Sequence, residues 1–564
     1  MTDTNQSTDA EKTADTSSAG PPVERAVEAA TVRVSVIVAV FNPGPGFDDL
    51  IRSLDEQTLS PQEFEVILCD DGSDDGFTRD RLRQVASTRP NVRVLTLEHT
   101  GWPGTPRNHG IEAARGKYVF FSDQDDRLFE GALEHLCDYA DRNSSDVVVG
   151  KVVGVGRRIP GRIFRRDIPQ AVLGKDPLLE LLTPHKLFRS SFLRENGIRF
   201  PDGKVRLEDH LFVMRAYFNA KTISILASRP CYAWLKNEGS ASSSRIDPDS
   251  YFPHLETVLD LVEANTEPGK VRDTLLRHWY RGKILQRLGG TRMVGYPDEY
   301  RERFLDIVMP IVQERFGPDV ENGLALPLRI RSALLRADRR DLLLRFAQFE
   351  ADLECRADVT AARWTRDGKL RLTVRVRILH DGEEALVFDR HPETGAAGGE
   401  AGPKGSVWRP PADLGTFEPR LLGADRDLRG DQIELFLGDQ AGGGERRIPG
   451  RAAKDLASAR LTVDPLSIFS RKDRSNGGPL VVHVRHAGWT FDAALRADPA
   501  IVDDLGRSPA QAGRSCQLVV QPDGSVELRR EWPAGRLKDL AARAMRRARR
   551  TVRKIAARKK SRMK

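Results

Sequence analysis

Val36-Ile-Val-Ala-Val-Phe-Asn42 decides how the first half of this chain folds. Residues 33–40 are mostly β-branched and scarcely alternate between apolar and polar, the pattern of a strand covered on both faces. Working outward, Phe47, Leu50, Ile51 and Leu54 fall at helical spacing. Phe64-Glu-Val-Ile-Leu-Cys69 reads as a second strand, 79–86 as a helix and Val92-Arg-Val-Leu-Thr-Leu97 as a third strand. A short helix is predicted over 107–114, and Tyr118-Val-Phe-Phe121 is a fourth strand. Strand and helix in alternation predict a doubly wound α/β domain with a mainly parallel sheet. In such sheets ligands sit beyond the carboxyl ends of the strands.

The chain has 564 residues, too many for one core. Residues 1–30 are polar, without an apolar stretch, and are expected to be a disordered lead-in rather than a signal peptide. The α/β domain is placed at 31–250. From 251 to 350 the pattern is helical: Leu255, Val258, Leu259 and Leu261-Val262 share one face, and Phe304, Ile307, Val308 and Ile311 another. Strands return after Asp352. Leu370, Leu372, Val374, Val376 and Ile378 alternate strictly, and Leu518-Val-Val520 with Val526 and Leu528 flanks an Asp523-Gly524 turn. Two small β-sandwiches are expected, 351–455 and 456–535, with a Gly-rich loop over 395–405.

No apolar run is long enough to span a bilayer. The five cysteines are far apart and without CxxC spacing, which suggests neither a disulfide framework nor a zinc site and fits a reducing cytosol. The net charge of +8 is misleading, because 14 Lys and Arg and a single Asp fall in 536–564, so the rest of the chain is net acidic. In that tail Leu537, Leu540-Ala541, Ala544-Met545, Ala548, Val552 and Ile555 line one side of a basic amphipathic helix. Such a helix suits an anionic membrane surface. Nucleic-acid contact and a merely solvated tail are the competing readings; the surface of a membrane is preferred and no nucleic-acid partner is expected.

Three acidic motifs fall at or near predicted element ends. Asp123-Gln-Asp125 follows the fourth strand, where carboxylates one residue apart can face one pocket; a hard divalent cation takes oxygen ligands, and a diphosphate supplies more. Asp125 is the first choice as ligand, with Asp123 on a ribose or supporting the metal. Alone, D-x-D reads as a solvated turn. Asp70-Asp-Gly-Ser73 ends the second strand, and Asp71 could accept from the imide N–H of uracil; an Asx turn is the plain alternative. Glu208-Asp209 opens an amphipathic run, and a carboxylate there can take the proton from an attacking hydroxyl. Asp209 is read as that base and Glu208 as positioning the sugar or acceptor, though acids also favour a helix N-terminus. Arg107 follows a loop of turn formers and can set its guanidinium against a phosphate or a base.

Together these residues resemble a family 2 glycosyltransferase of GT-A fold. More narrowly, Pro103-Gly-Thr-Pro-Arg-Asn108, Glu208-Asp-His-Leu-Phe-Val-Met-Arg-Ala-Tyr217 and Glu238-Gly with Ser243-Ser244 are similar to the wall teichoic acid poly(ribitol-phosphate) N-acetylglucosaminyltransferases. The layout agrees: catalytic domain, helical linker, then immunoglobulin-like modules that form a trimer in those relatives. The resemblance implies an inverting transfer of a sugar, GlcNAc first, from UDP to a hydroxyl of a polyol-phosphate polymer such as teichoic acid, with Mn2+ or Mg2+ as cofactor. It implies nucleotide-sugar contacts at Ala39, Phe41, Asp71, Arg107, Asp123, Gln124 and Ser243, metal ligands Asp123 and Asp125, and catalysis by Asp209 with Glu208. It also implies a cytoplasmic protein, peripheral to the inner face of the membrane, and a homotrimer. A capsular or extracellular polysaccharide as acceptor, and a non-catalytic glycan-binding scaffold, are the alternatives. The chain departs from the pattern at Phe41, where relatives carry Tyr, at His99-Thr100, and at Asn237 and Ala241, where relatives place a lid Arg and His.

Overall fold

The computed structural model describes residues 32–236, 245–391, 405–438, 445–469, 477–510 and 515–531. The lead-in, the lid with Ser243, most of the Gly-rich loop and the basic tail therefore lie outside the described residues.

The N-terminal sheet is built on β1 (Val34–Val40), almost wholly buried, as its lack of alternation predicts. It pairs in parallel with β2 (Phe64–Asp70) on one side and with β4 (Tyr118–Asp123) on the other, and β3 (Val92–Thr96) extends the β2 side. Chain order reverses at β1, so the crevice where a doubly wound sheet binds its ligand opens between β1 and β4. Register brings the motifs level: Ala39 stands opposite both Cys69 and Asp123, and Val40 opposite Asp70.

Helix α1 (Gly46–Asp55) buries Phe47, Leu50, Ile51 and Leu54, the face its spacing predicts. Helix α2 (Thr78–Ser87) follows β2. Helix α3 is Gly104–Ala113 and starts a turn earlier than expected. Pro106 sits in that first turn, where an N–H has no intrahelical acceptor and its loss costs nothing. Beyond β4 come the two-residue β5 (Arg127–Leu128), α4 (Ala132–Asn143) and β6 (Val147–Val155). The short β7 (Leu187–Arg189) runs antiparallel between β4 and β6, so the sheet is mixed on this side. Then follow α5 (Ser190–Glu195), α6 (Glu208–Asn219) and β8 (Ile223–Leu235), the last parallel to β6.

Helices fill 248–351. The first, Pro248–Ala264, buries Leu255, Val258, Leu259 and Val262, and Asp298–Arg315 buries Phe304, Val308 and Ile311. This linker braces the back of α6, where Trp279 Nε1 donates to His210 Nδ1 at 3.1 Å. No described helix is long and apolar enough to cross a membrane.

The C-terminal region is strand-rich as expected: β9 (Glu354–Trp364), β10 (Leu370–His380), β11 (Glu383–Glu384), β12 (Val387–His391), β13 (Gly405–Arg409), β14 (Gln432–Gly438), β15 (Glu445–Arg447), β16 (Ala459–Val463), β17 (Gly477–His486), β18 (Trp489–Ala497), β19 (Ser515–Val520) and β20 (Val526–Glu531). The division at 455 does not separate these strands. β16 pairs back with β10, β14 pairs forward with β17, and β18 lies beside β9. Alternation announces a half-buried strand but carries no record of which distant strand it joins.

Candidate functional site

The site lies at the carboxyl ends of β1, β2 and β4 and the amino end of α6. Its centre is Arg107 on α3, whose side chain is 4 % exposed. Nη2 donates to Asp123 Oδ1 at 2.8 Å and Nη1 to Asp209 Oδ1 at 2.9 Å. One planar fork therefore joins two carboxylates that lie 86 residues apart in the chain. Burial works against the guanidinium's charge, but Asp209, Asp123 and Glu208 outweigh it and raise its pKa.

Asp209 and Glu208 open α6 directly after Leu207, a non-glycine residue at φ 62°. That left-handed turn costs about 1–2 kcal/mol and sends the helix inward with its two acids toward the sheet. Burial, then the neighbouring Glu208 charge, push the Asp209 carboxyl up to about 7, with Arg107 opposing. Glu208 is also raised, mainly by burial.

At the other end of the fork, Asp123 is held below the usual carboxylate range: burial opposes ionisation, but His185 and Arg107 together prevail. His185, in the loop that enters β7, has Nε2 3.1 Å from Asp123 Oδ2. Its ring stacks on Tyr232 at 4.4 Å. Asp126 joins them: Tyr232 donates to its Oδ2 at 2.7 Å and the Leu235 N–H to its Oδ1 at 2.7 Å. Burial, then the charge of Asp123, push Asp126 up to about 8. Ligand atoms of Asp123, Asp126 and His185 all lie within 4.8 Å of one another. His185 Nδ1 is buried with no hydrogen-bond partner among the described residues, and Nε2 faces Asp123. Two crowded carboxylates and this imidazole form a set that fits a divalent cation. Asp125, expected as a ligand, is half-buried and stands against Gly46 at the start of α1.

The other side of the crevice is built by the β2 end. Asp71, expected to read the base, has its carboxylate engaged by the loop after β3: Oδ1 accepts from the Thr100 N–H at 3.0 Å and from its hydroxyl at 2.6 Å, and Oδ2 from the Gly101 N–H at 3.0 Å. Gly72 allows this approach. Its φ is +69°, and a Cβ there would meet the His99 backbone nitrogen at 2.7 Å. The same loop brings the His99 ring against Phe41, centroids 4.4 Å apart. Gln124 exchanges two hydrogen bonds with the Phe41 backbone, 2.9 and 3.1 Å, which fixes that ring at the rim. Ala39 lies one residue inside, on β1.

The structure therefore brings Arg107, Asp123, Asp209 and Glu208 together, lines the rim with Phe41 and Gln124, buries Asp71 against the loop after β3, and leaves Ser243 outside the described residues. Sequence reasoning missed His185, whose only signal was a lone His in Thr183-Pro-His-Lys186, and passed over Asp126. It also missed Lys186, fully buried one residue further on and lowered to about 7, chiefly by burial.

The family model for glycosyl transferase family 2 matches residues 35–205, and that for the glycosyl transferase TarS linker domain matches 248–347. The chain is 30% identical over 260 residues to poly(ribitol-phosphate) beta-N-acetylglucosaminyltransferase TarP of Staphylococcus aureus, covering 45% of this chain and 79% of that one. It is 32% identical over 237 residues to poly(ribitol-phosphate) beta-glucosyltransferase of Bacillus spizizenii, covering 42% of this chain and 37% of that one. TarS of S. aureus is 32% identical over 240 residues, 42% of each chain. These last two matches thus span about two fifths of the relatives' own length. In fold, a crystal structure of S. aureus TarS 1-349 in complex with UDP-GlcNAc superposes with a TM-score of 0.51 at 24% identity, over 63% of this chain and 98% of that one. The crystal structure of S. aureus TarS gives a TM-score of 0.51 at 18% identity, over 89% and 86%. The chain belongs to glycosyl transferase family 2, in the branch that holds TarS and TarP.

Proposed function

We propose that this protein is an inverting glycosyltransferase that moves a hexose, GlcNAc or glucose, from a UDP-sugar to a hydroxyl of a polyol-phosphate polymer such as poly(ribitol phosphate). The names of its relatives and the UDP-GlcNAc complex of a TarS fragment support the donor and the acceptor. The observation that carries the reading is the Arg107 fork, which ties a nucleotide pole at Asp123 to an acceptor pole at Asp209.

Displacement with inversion needs opposite things at the two poles. The acceptor oxygen attacks C1 of the sugar, its O–H bond breaks toward Asp209, and the C1–O bond to the diphosphate breaks with its electron pair on UDP. A carboxylate poised near neutrality, as Asp209 is at about 7, accepts that proton efficiently. Glu208, beside it, orients the incoming hydroxyl. Asp123 stays ionised through its own environment. Asp123, Asp126 and His185 would hold Mn2+ or Mg2+, which when bound supplies positive charge for the departing diphosphate. The mixed oxygen and nitrogen donors favour Mn2+. Phe41, with His99 against it, offers the base a ring to stack on, and the loop fastened by Asp71 walls that pocket. Ala39, Gln124 and Ser243 complete the donor contacts. The basic tail at 536–564 would bring the enzyme to the inner face of the membrane, and the C-terminal strands would join three copies.

Polymer-dependent release of UDP tests the reading. With Mn2+ present, poly(ribitol phosphate) should stimulate release from UDP-GlcNAc or UDP-glucose, and Asp209→Asn should remove the stimulation. No stimulation by this polymer with either donor overturns it.

A further inference from the structure

Strand β10 reads Leu-Arg-Leu-Thr-Val-Arg-Val-Arg-Ile over 370–378, and β16 reads Ala-Arg-Leu-Thr-Val over 459–463. Alternation turns the apolar residues into the C-terminal core and the arginines and threonines outward. Pairing then sets these outward residues in rows. Arg371 stands opposite Arg363 of β9 and opposite Thr462 of β16. Thr373 stands between Ala361 and Arg460. Arg375 is level with Asp358 of β9, which is level with Arg496 of β18. Arg377 faces Arg356. Residues directly opposite on an antiparallel pair hold their Cβ atoms about 5 Å apart, so two of these rows set arginine beside arginine.

Arg363, Arg371, Arg375, Arg460 and Arg496 are exposed, and none joins an ion pair among the described residues. Asp358 is the single acid in the four rows, and it is engaged with Arg377 at 3.2 Å and Arg356 at 3.5 Å. Like charges facing each other across a strand pair weaken the sheet, so pairing energy does not account for this choice of residues. Solubility does not account for it either, because mixed signs serve that purpose. The rows carry no aromatic side chain. They cover about 14 Å across four strands and about 20 Å along β10, an open sheet face rather than a groove. Ser525 bridges to Arg496, and β20 runs from the next residue to Glu531, so the chain leaves the described fold within about 20 Å of this face. Shortly beyond, residues 536–564 carry 14 Lys and Arg and one Asp.

We propose that the outward face of β16, β10, β9 and β18, centred on Arg363, Arg371, Arg375, Arg460 and Arg496, lies against an anionic lipid surface and adds a folded contact to that of the basic tail. A plane of headgroup phosphates matches a two-dimensional array of guanidinium groups, each of which can take two phosphate oxygens. Single-stranded nucleic acid fits less well, because its bases need aromatic faces to stack on. The same face of a second copy brings like charge and is repelled.

The test uses the full chain, so that the basic tail is common to every sample. Arg363→Ala/Arg371→Ala is compared with the charge-keeping Arg363→Lys/Arg371→Lys pair. Cosedimentation follows binding to vesicles of equal parts phosphatidylglycerol and phosphatidylcholine, and to vesicles of phosphatidylcholine alone, at low and high salt. The alanine pair should bind the anionic vesicles about tenfold more weakly, with a shallower salt dependence, and the lysine pair should keep most of the affinity. The thermal midpoint of the alanine pair should stay level or rise, since a facing pair of like charges is gone, whereas a structural role would lower it. Equal binding of parent and alanine pair to the anionic vesicles leaves adhesion to the tail and overturns the proposal. So does a loss of the same size on phosphatidylcholine alone, or a loss confined to inorganic polyphosphate or single-stranded DNA. A change of oligomeric state in the alanine pair, read by analytical ultracentrifugation, would make the face a subunit interface and overturns it too. None of these readouts uses turnover, so failure here leaves the transferase reading where it stands.

Discussion

Asp123 and Asp209 grip the same guanidinium from opposite sides, yet they come to rest on opposite sides of the ordinary carboxylate range. Both are half-buried to a similar degree, so burial cannot account for the contrast. The neighbours do. Asp123 has a second cation-capable partner in His185, whereas Asp209 has a second carboxylate in Glu208. The sheet end thus keeps a permanent anion, and the helix start keeps a carboxylate that can gain and lose a proton. One arginine serves both because each pole is tuned from behind.

Removing the proton acceptor should break this contrast most severely. Asp209→Asn keeps the shape and still faces Arg107, but cannot take a proton; turnover should fall about a thousandfold with UDP affinity near the parent's. Full retention of polymer-dependent UDP release in that variant would show the base to lie elsewhere. Arg107→Ala comes next. It leaves two half-buried carboxylates without the buried cation they share, so stability should fall. The denaturation midpoint of the catalytic domain should drop markedly, and Mn2+ should recover part of it by neutralising Asp123. Third, His185→Ala acts mainly on the sheet pole, since His185 is the smallest of the influences named on Asp209. Mn2+ affinity, read by calorimetry with UDP present, should weaken about 10–100-fold while the pH dependence of turnover keeps its shape. If His185→Ala instead shifts that pH dependence, the two poles are not separate.

The parts of this molecule that could be read from its sequence share one physical trait: their signal is local. β1, β2 and β4 are covered on both faces, so each is a continuous apolar run, and Asp123 and Asp209 stand where such an element ends or begins. Asp123 and Asp125, one residue apart, would face one pocket if the strand continued. β4 stops at Asp123, however, and the chain curls there, the Asp126 N–H approaching the Asp123 carbonyl at 3.4 Å, so the third residue onward returns to the pocket. His185 reaches the same pocket through the three-residue β7, too short to carry any periodicity. The interleaved C-terminal strands escaped for a related reason. Each alternates legibly, but the pairing of β14 with β17 across the expected division is decided by packing between segments about fifty residues apart.

The finest test of the contrast is pH, because one group should push stability and activity in opposite directions. An unfolded aspartate titrates near 3.8, and Asp209 in the folded chain near 7. Between those values the folded state holds a proton that the unfolded state has released. Stability from this group is therefore complete below about 3.8 and is lost as pH climbs toward 7, by up to about 1.4 kcal/mol per pH unit. Activity runs the other way, since only ionised Asp209 accepts a proton, and kcat/KM should rise as pH passes through about 7. Asp209→Asn should flatten the stability curve across this window, whereas His185→Ala should leave the rise in kcat/KM where it is. A parent enzyme whose kcat/KM is level from pH 5.5 to 8 would mean that Arg107 holds Asp209 ionised as firmly as it helps to hold Asp123, and the two poles would then differ in position alone.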